Sequence, residues 1–149
     1  MTQRLIGAIE AGGTKFVLAL ARDDGTVLAE TRIPTRTPAE CFPDVAAFFE
    51  QAGAAHGEIA AFGVGSFGPI DIDPASPGYG TFTTTPKPGW SGARYHDVLG
   101  RFGAPIVVLD ADGLPVSKGV DKGKIAELAA YVGVLDATRQ IGHELGYGP

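Results

Sequence analysis

RLIGAIEAGGTKFVLALARDDGTVLAETRI, residues 4–33, decides the fold. Arg4 to Ala11 is apolar and partly β-branched, Gly12, Gly13 and Thr14 interrupt it, and Lys15 to Ala21 resumes the apolar run, which reads as two strands around a tight turn. Asp23-Asp24-Gly25 supplies a second turn, and Thr26 to Ile33 alternates well enough for a third strand. A three-stranded antiparallel meander therefore opens the chain.

Pro34 ends the meander, and Thr37-Pro38-Ala39-Glu40 then starts a helix: Thr37 as cap, Pro38 at the first helical position, Glu40 placed to return a hydrogen bond. Val45, Ala46, Phe48, Phe49 and Ala52 form its apolar stripe. Ile59 to Val64 reads as a buried parallel strand, followed by the glycine-rich bend GSFGPIDID. Residues 74–89 carry too much Pro, Gly and Thr for regular structure, and a loop this long in a compact domain is usually functional or mobile. A second helix is expected over Ser91–Phe102, with Tyr95, Val98, Leu99 and Phe102 on one face. Pro105 to Leu109 reads as another buried strand. A last helix is expected from about Lys124 to Leu145, with Ile125, Leu128, Ala129, Val132 and Leu135 on its apolar side. The order is β-β-β-α-β-α-β-α, an α/β class.

The chain's 149 residues suit one domain spanning 1–149. Its 22 Gly and 11 Pro fall short of a low-complexity composition, and 44% hydrophobic residues suffice for a core. Charged residues make up only 19%, against roughly 25% in soluble domains, a deficit that points to an uncovered interface. A net charge of −5 with no Lys/Arg run excludes a nucleic-acid partner bound through phosphates. Cys41 is the single cysteine, so no intramolecular disulfide is expected; no Cys/His spacing suits zinc, and a cytoplasmic setting follows. The first residues lack the apolar core of a signal peptide, and no stretch is long enough to span a membrane.

Gly63, Gly65 and Gly68 match G-x-G-x-x-G, but Pro69-Ile70-Asp71-Ile72-Asp73-Pro74 follows where a dinucleotide fold needs a helix, so these glycines are read as shaping a bend. No Walker-type phosphate loop is present. The turn Glu10-Ala11-Gly12-Gly13-Thr14-Lys15 is more informative. Two glycines let amides approach an anion, Thr14 adds a hydroxyl, Lys15 a charge, and Glu10 can hold magnesium directly or through water. A plain hairpin turn that needs glycine accounts for the same residues equally well.

IEAGGTKF, GVGSFGPID and TTTPKPGW together resemble the amino-terminal lobe of bacterial fructokinases in the ROK group of sugar kinases, within the actin-like superfamily. The resemblance runs from about Gly7 to Leu109. It implies an actin-like (ribonuclease-H-like) ATPase lobe with a five-stranded mixed sheet and three helices. It also implies ATP- and Mg2+-dependent phosphorylation of a sugar hydroxyl, with nucleotide phosphates at Gly12, Gly13, Thr14 and Lys15. Sugar contacts are implied at Gly65, Ser66, Thr84, Thr85 and Lys87. Asp112, in LDADGLPV, occupies the place of the family's catalytic base, which takes the proton of the attacking hydroxyl. Leu114, Pro115 and Val116 depart from the family's Asn-Ala-Ala there, and Asp112-Gly113 more naturally reads as a turn.

A complete kinase of this group would continue past about residue 112 into a second lobe carrying its own phosphate turn, an adenosine pocket and a zinc site. Instead, residues 113–123 read as a bridge, and the final helix resembles the one that returns to the first lobe in these kinases. His143-Glu144-Leu145-Gly146 is similar to the family's H-x-E-x-G phrase but reads as a helix end with a glycine stop. Two functional readings follow. In one the chain is an isolated half of the fold that keeps a weak phosphate- and nucleotide-binding turn, does not turn over alone and forms a homodimer in place of the missing lobe. In the other it is an ATP-dependent kinase of fructose or a related hexose.

Overall fold

A computed structural model describes residues 4–110 and 124–137, apart from the side chains of 124, 127 and 134–137. The expected meander forms β1 (Leu5–Ala11), β2 (Lys15–Arg22) and β3 (Val27–Pro34), followed by α1 (Pro38–His56), β4 (Ile59–Ser66), α2 (His96–Leu99), β5 (Ile106–Asp110) and α3 (Lys124–Ala137). The sheet order is β3-β2-β1-β4-β5, with β1 antiparallel to β2, β2 antiparallel to β3, and β1, β4 and β5 mutually parallel. This is the five-stranded mixed sheet with three helices that the resemblance implied.

Helices cover both faces. A Cβ on Gly7 would strike the Phe62 ring and approach Phe49 of α1 at 3.1 Å, while one on Gly63 would meet Val132 and Leu128 of α3. Gly7 pairs with Phe62 and Ala8 with Gly63, so the two glycines face opposite sides and each admits its own helix. Strands buried on both faces must be apolar throughout, which is why β1, β2 and β4 read as nearly continuous apolar runs. Phe16, Leu18 and Leu20 line the α1 side of β2; Phe49, Phe62 and Phe102 stack nearby at ring separations of 5.1–6.4 Å.

Three local expectations change. Pro38 does open α1, but Thr37 makes no capping bond to the helix backbone: its Oγ1 donates to Glu40 Oε1 at 2.9 Å, so the reciprocal cap stays open. The second helix is far shorter than Ser91–Phe102. Gly92 takes φ +84°, and Phe82 and Gly92 to Ala93 exchange backbone bonds, which commits residues 91–94 to a hairpin partner and leaves only α2 and a 3-10 turn over Gly100–Phe102. The 74–89 segment is a strap of tight turns fastened to the sheet. Tyr79 Oη receives the Val108 N–H at 2.6 Å and donates to the Val108 carbonyl at 2.9 Å, sealing the free edge of β5.

The helix expected to reach Leu145 is described to Ala137. Asp112, the bridge 113–123 and the His143 phrase lie outside the described residues. Among those described, the large hydrophobic side chains left exposed are Val27 and Ile72, so the low charge fraction does not translate into a broad apolar patch. No helix among them is long and apolar enough to cross a membrane.

Candidate functional site

The parallel strands end side by side: Ala11 of β1 pairs with Ser66 of β4, and Ser66 with Asp110 of β5. Ligands of open α/β sheets bind beyond such carboxyl ends. The turn after β1 is closed by Gly12 N–H to the Lys15 carbonyl at 2.9 Å. From outside, Thr35 holds it twice: its N–H donates to the Thr14 carbonyl at 2.9 Å and its Oγ1 to the Gly12 carbonyl at 2.7 Å. Gly13, Thr14 and Lys15 remain exposed.

The two glycines differ in what the fold asks of them. A Cβ on Gly12 would sit 3.2 Å from the Lys15 carbonyl, a tight approach within the turn itself. On Gly13 it would meet nothing within 4 Å, and Gly13 has no positive φ. The Gly13 and Thr14 N–H groups have no protein acceptor among the described residues. The fold therefore leaves open space and two unused donors over Gly13, a cradle that suits the phosphates of a nucleotide. Glu10 is half-buried two residues before Gly12, on the opposite face from Ser66 and paired in register with Gly65 and Val17. One carboxylate beside a phosphate cradle suits Mg2+, which takes few protein ligands and several water or phosphate oxygens.

The other expected contacts lie at different depths. Gly65 is buried in β4. Ser66 is fully enclosed, with Oγ 2.7 Å from Tyr95 Oη and donating to the Phe67 carbonyl at 2.8 Å. Burial pushes the Tyr95 phenol far above its usual range, against the opposing pull of Ser66. Ser66 thus shapes the floor beneath the strand ends. In the following loop Thr84 is exposed, whereas Thr85 is buried: its N–H donates to Ser91 Oγ at 3.0 Å, and its Oγ1 accepts the Lys87 N–H at 3.3 Å. Lys87 is half-buried on the rim.

Trp90, absent from the expected site, organises it. Its ring is wholly buried among Phe16, Phe42, Phe67 and Phe82, with centroids 5.1–5.6 Å away, and Nε1 donates to the Arg36 carbonyl at 2.6 Å. The 84–88 loop is thereby tied to Arg36, just as the Gly12–Thr14 turn is tied to Thr35. The β3–α1 connector, residues 35–37, stands between the two. A lone tryptophan in a Pro/Gly-rich phrase was the available signal for this anchor.

Comparison with known proteins identifies the family and the fold. The ROK family model matches residues 6–132. A fructokinase of Streptococcus mutans is 34% identical over 148 residues, covering 96% of this chain and 50% of that protein. A putative fructokinase of Bacillus subtilis is 48% identical over 86 residues, 58% of this chain and 27% of that one. Among solved structures, a ROK family glucokinase from Streptomyces griseus in complex with glucose and AMPPNP superimposes with a TM-score of 0.57 at 25% identity, covering 71% of this chain and 33% of that one. The chain spans half or less of the length of these relatives. With the family model extending from β1 into α3 across the turn and the strap, the chain belongs to the ROK family.

Proposed function

We propose that this chain is the phosphate-binding half of an ATP-dependent sugar kinase acting on fructose or a related hexose, and that these 149 residues alone bind nucleotide weakly without turnover. The observation carrying this reading is Gly13: neither φ nor packing asks for glycine there, while an anion resting on the Gly13 and Thr14 amides does. In the whole reaction the bound nucleotide and Mg2+ supply the phosphoryl group and neutralise its charge. Gly12, Gly13, Thr14 and Lys15 orient the phosphates, Glu10 holds the cation side, and Thr84, Thr85 and Lys87 with the Gly65-Ser66 floor position the sugar. Asp112 is the proposed acceptor of the hydroxyl proton.

Calorimetric titration with ATP and Mg2+ tests the turn. Gly13→Ala clashes with nothing in the protein, so it should leave thermal stability unchanged while removing the binding heat. Absence of heat in the wild type overturns the nucleotide half of the reading. A coupled assay with fructose should show no turnover; turnover abolished by Asp112→Asn would favour the second reading, a self-sufficient kinase. A homodimer completes the proposal, supported by the 19% charged fraction rather than by any large apolar patch. A monomer mass by light scattering across micromolar concentrations removes it.

A further inference from the structure

A cavity of about 370 Å3 lies between the β3–α1 connector and the 84–88 loop, lined by Thr35, Arg36, Thr37, Glu40, Lys87 and Pro88. Its volume lies within the range of small-molecule sites. The walls are held against each other by the buried Trp90 bond to the Arg36 carbonyl. Gly89, at φ +82°, brings the loop so close to α1 that a Cβ would lie 3.3 Å from Pro38 Cδ. The cavity is therefore part of the folded framework.

Its polar groups divide into used and unused. Thr35 Oγ1 is committed to the Gly12 carbonyl and Thr37 Oγ1 to Glu40 Oε1. Arg36 and Lys87 enter no ion pair among the described residues. Two cations with no ion-pair partner among the described residues thus share a cavity with one carboxylate, Glu40, whose second oxygen is left to accept a bond. An anion alone would meet the cations but be repelled by Glu40; a neutral sugar would meet Glu40 but leave the cations unmatched. A ligand carrying an oxyanion at one end and hydroxyl donors at the other satisfies all three.

We propose that this cavity binds a phosphorylated hexose, its phosphoryl group on Arg36 and Lys87 and a ring hydroxyl on Glu40. The inference rests on the sugar-kinase reading only through Lys87, and it does not involve the Gly12–Lys15 turn. The site therefore accommodates a reaction product or a phosphorylated effector beside the turn that handles nucleotide.

The test is thermal shift and calorimetry on the full chain at low ionic strength with fructose 6-phosphate, inorganic phosphate and fructose as separate probes. Fructose 6-phosphate is expected to raise Tm at millimolar concentration. Arg36→Gln, an exposed position with no folding role for its head group, should weaken that binding about tenfold or more, as loss of a charge-assisted bond to an anion does. Glu40→Gln should narrow the preference for fructose 6-phosphate over inorganic phosphate. No response to fructose 6-phosphate, or a response unchanged in Arg36→Gln, overturns the proposal. Equal binding of inorganic phosphate and fructose 6-phosphate in the wild type overturns its sugar half. Gly13→Ala separates the two readings: it should abolish ATP binding and leave the fructose 6-phosphate response intact, so either can fail without the other.

Discussion

Trp90→Phe is the sharpest test of how the strap is held to the sheet. The substitution keeps an aromatic ring among Phe16, Phe42, Phe67 and Phe82 but removes the Nε1–H that reaches the Arg36 carbonyl. Loss of one hydrogen bond costs about 1 kcal/mol, rising toward 3 kcal/mol where the abandoned acceptor stays shielded. The smaller ring also leaves a gap in a fully buried site, for roughly another 1 kcal/mol. The expected destabilisation is about 2–4 kcal/mol. For a chain of this size each kcal/mol moves Tm by about 2–4 °C, so Tm should fall by roughly 4–16 °C. Trp90 is the only tryptophan, so the variant's unfolding must be followed by circular dichroism in urea, with wild-type fluorescence as an independent probe of the same transition. Ile72→Ser, at a side chain 42% exposed, serves as the surface control. A loss below about 0.5 kcal/mol, the scale of an ordinary surface change, would refute the claim that the indole fastens the loop to the connector.

Tyr79→Phe should strip one oxygen from both the N–H and the carbonyl of Val108 on the β5 edge, destabilising by about 2–4 kcal/mol in urea unfolding; a change near zero would mean that water replaces the phenol there. Gly63→Ala places a methyl about 2.5 Å from Val132 Cγ2 and should cost about 1–3 kcal/mol, read as a lowered Tm; a neutral result would show that α3 has room to shift. Burial, reinforced by the Arg94 charge and opposed by Asp97, holds His96 below the usual histidine value of 6.5. The unfolded chain therefore binds a proton that the folded one refuses, so this contribution is complete above 6.5 and is lost as pH falls toward the lowered value. The urea midpoint should drop as pH falls below 6.5 in the wild type and drop less in His96→Gln; identical slopes would exclude His96 as the source.

Much of the sheet was legible because its constraints are local. The glycine pair at 12–13 and Asp24-Gly25 mark the two hairpin turns, and strands covered on both sides must be apolar, so β1, β2, β4 and β5 stand out from their own residues. The second helix expected over Ser91–Phe102 failed over its first half for a non-local reason. Tyr95, Val98 and Leu99 do form its buried face, but residues 91–94 find partners at 80–82, and no periodicity within 91–102 encodes that pairing. The capping expectation at Thr37 failed more narrowly: the residue types were right, but the hydroxyl bonded to the Glu40 side chain in place of the backbone.

The site was legible to the extent that its residues must be unusual. Gly13 is singled out by its place as well as its space: a Cβ would meet nothing there, as at Gly53 and Gly100, but of the three it alone lies in the turn at the carboxyl end of β1. Ser66, drawn from the same kind of phrase, has its hydroxyl engaged with Tyr95 and the Phe67 carbonyl, so a small polar residue at a strand end is needed by the floor itself as well. Arg36 carried no signal and Glu40 only that of a helix start, since an arginine after a strand and a glutamate in a first helical turn are ordinary surface choices. They become a site only when Trp90 draws a loop fifty-four positions away in sequence onto the Arg36 carbonyl, so that Lys87 faces them across a cavity. Recognition chemistry of that kind belongs to the pairing of segments, and the residue that creates it is the buried ring rather than any of the charges it brings together.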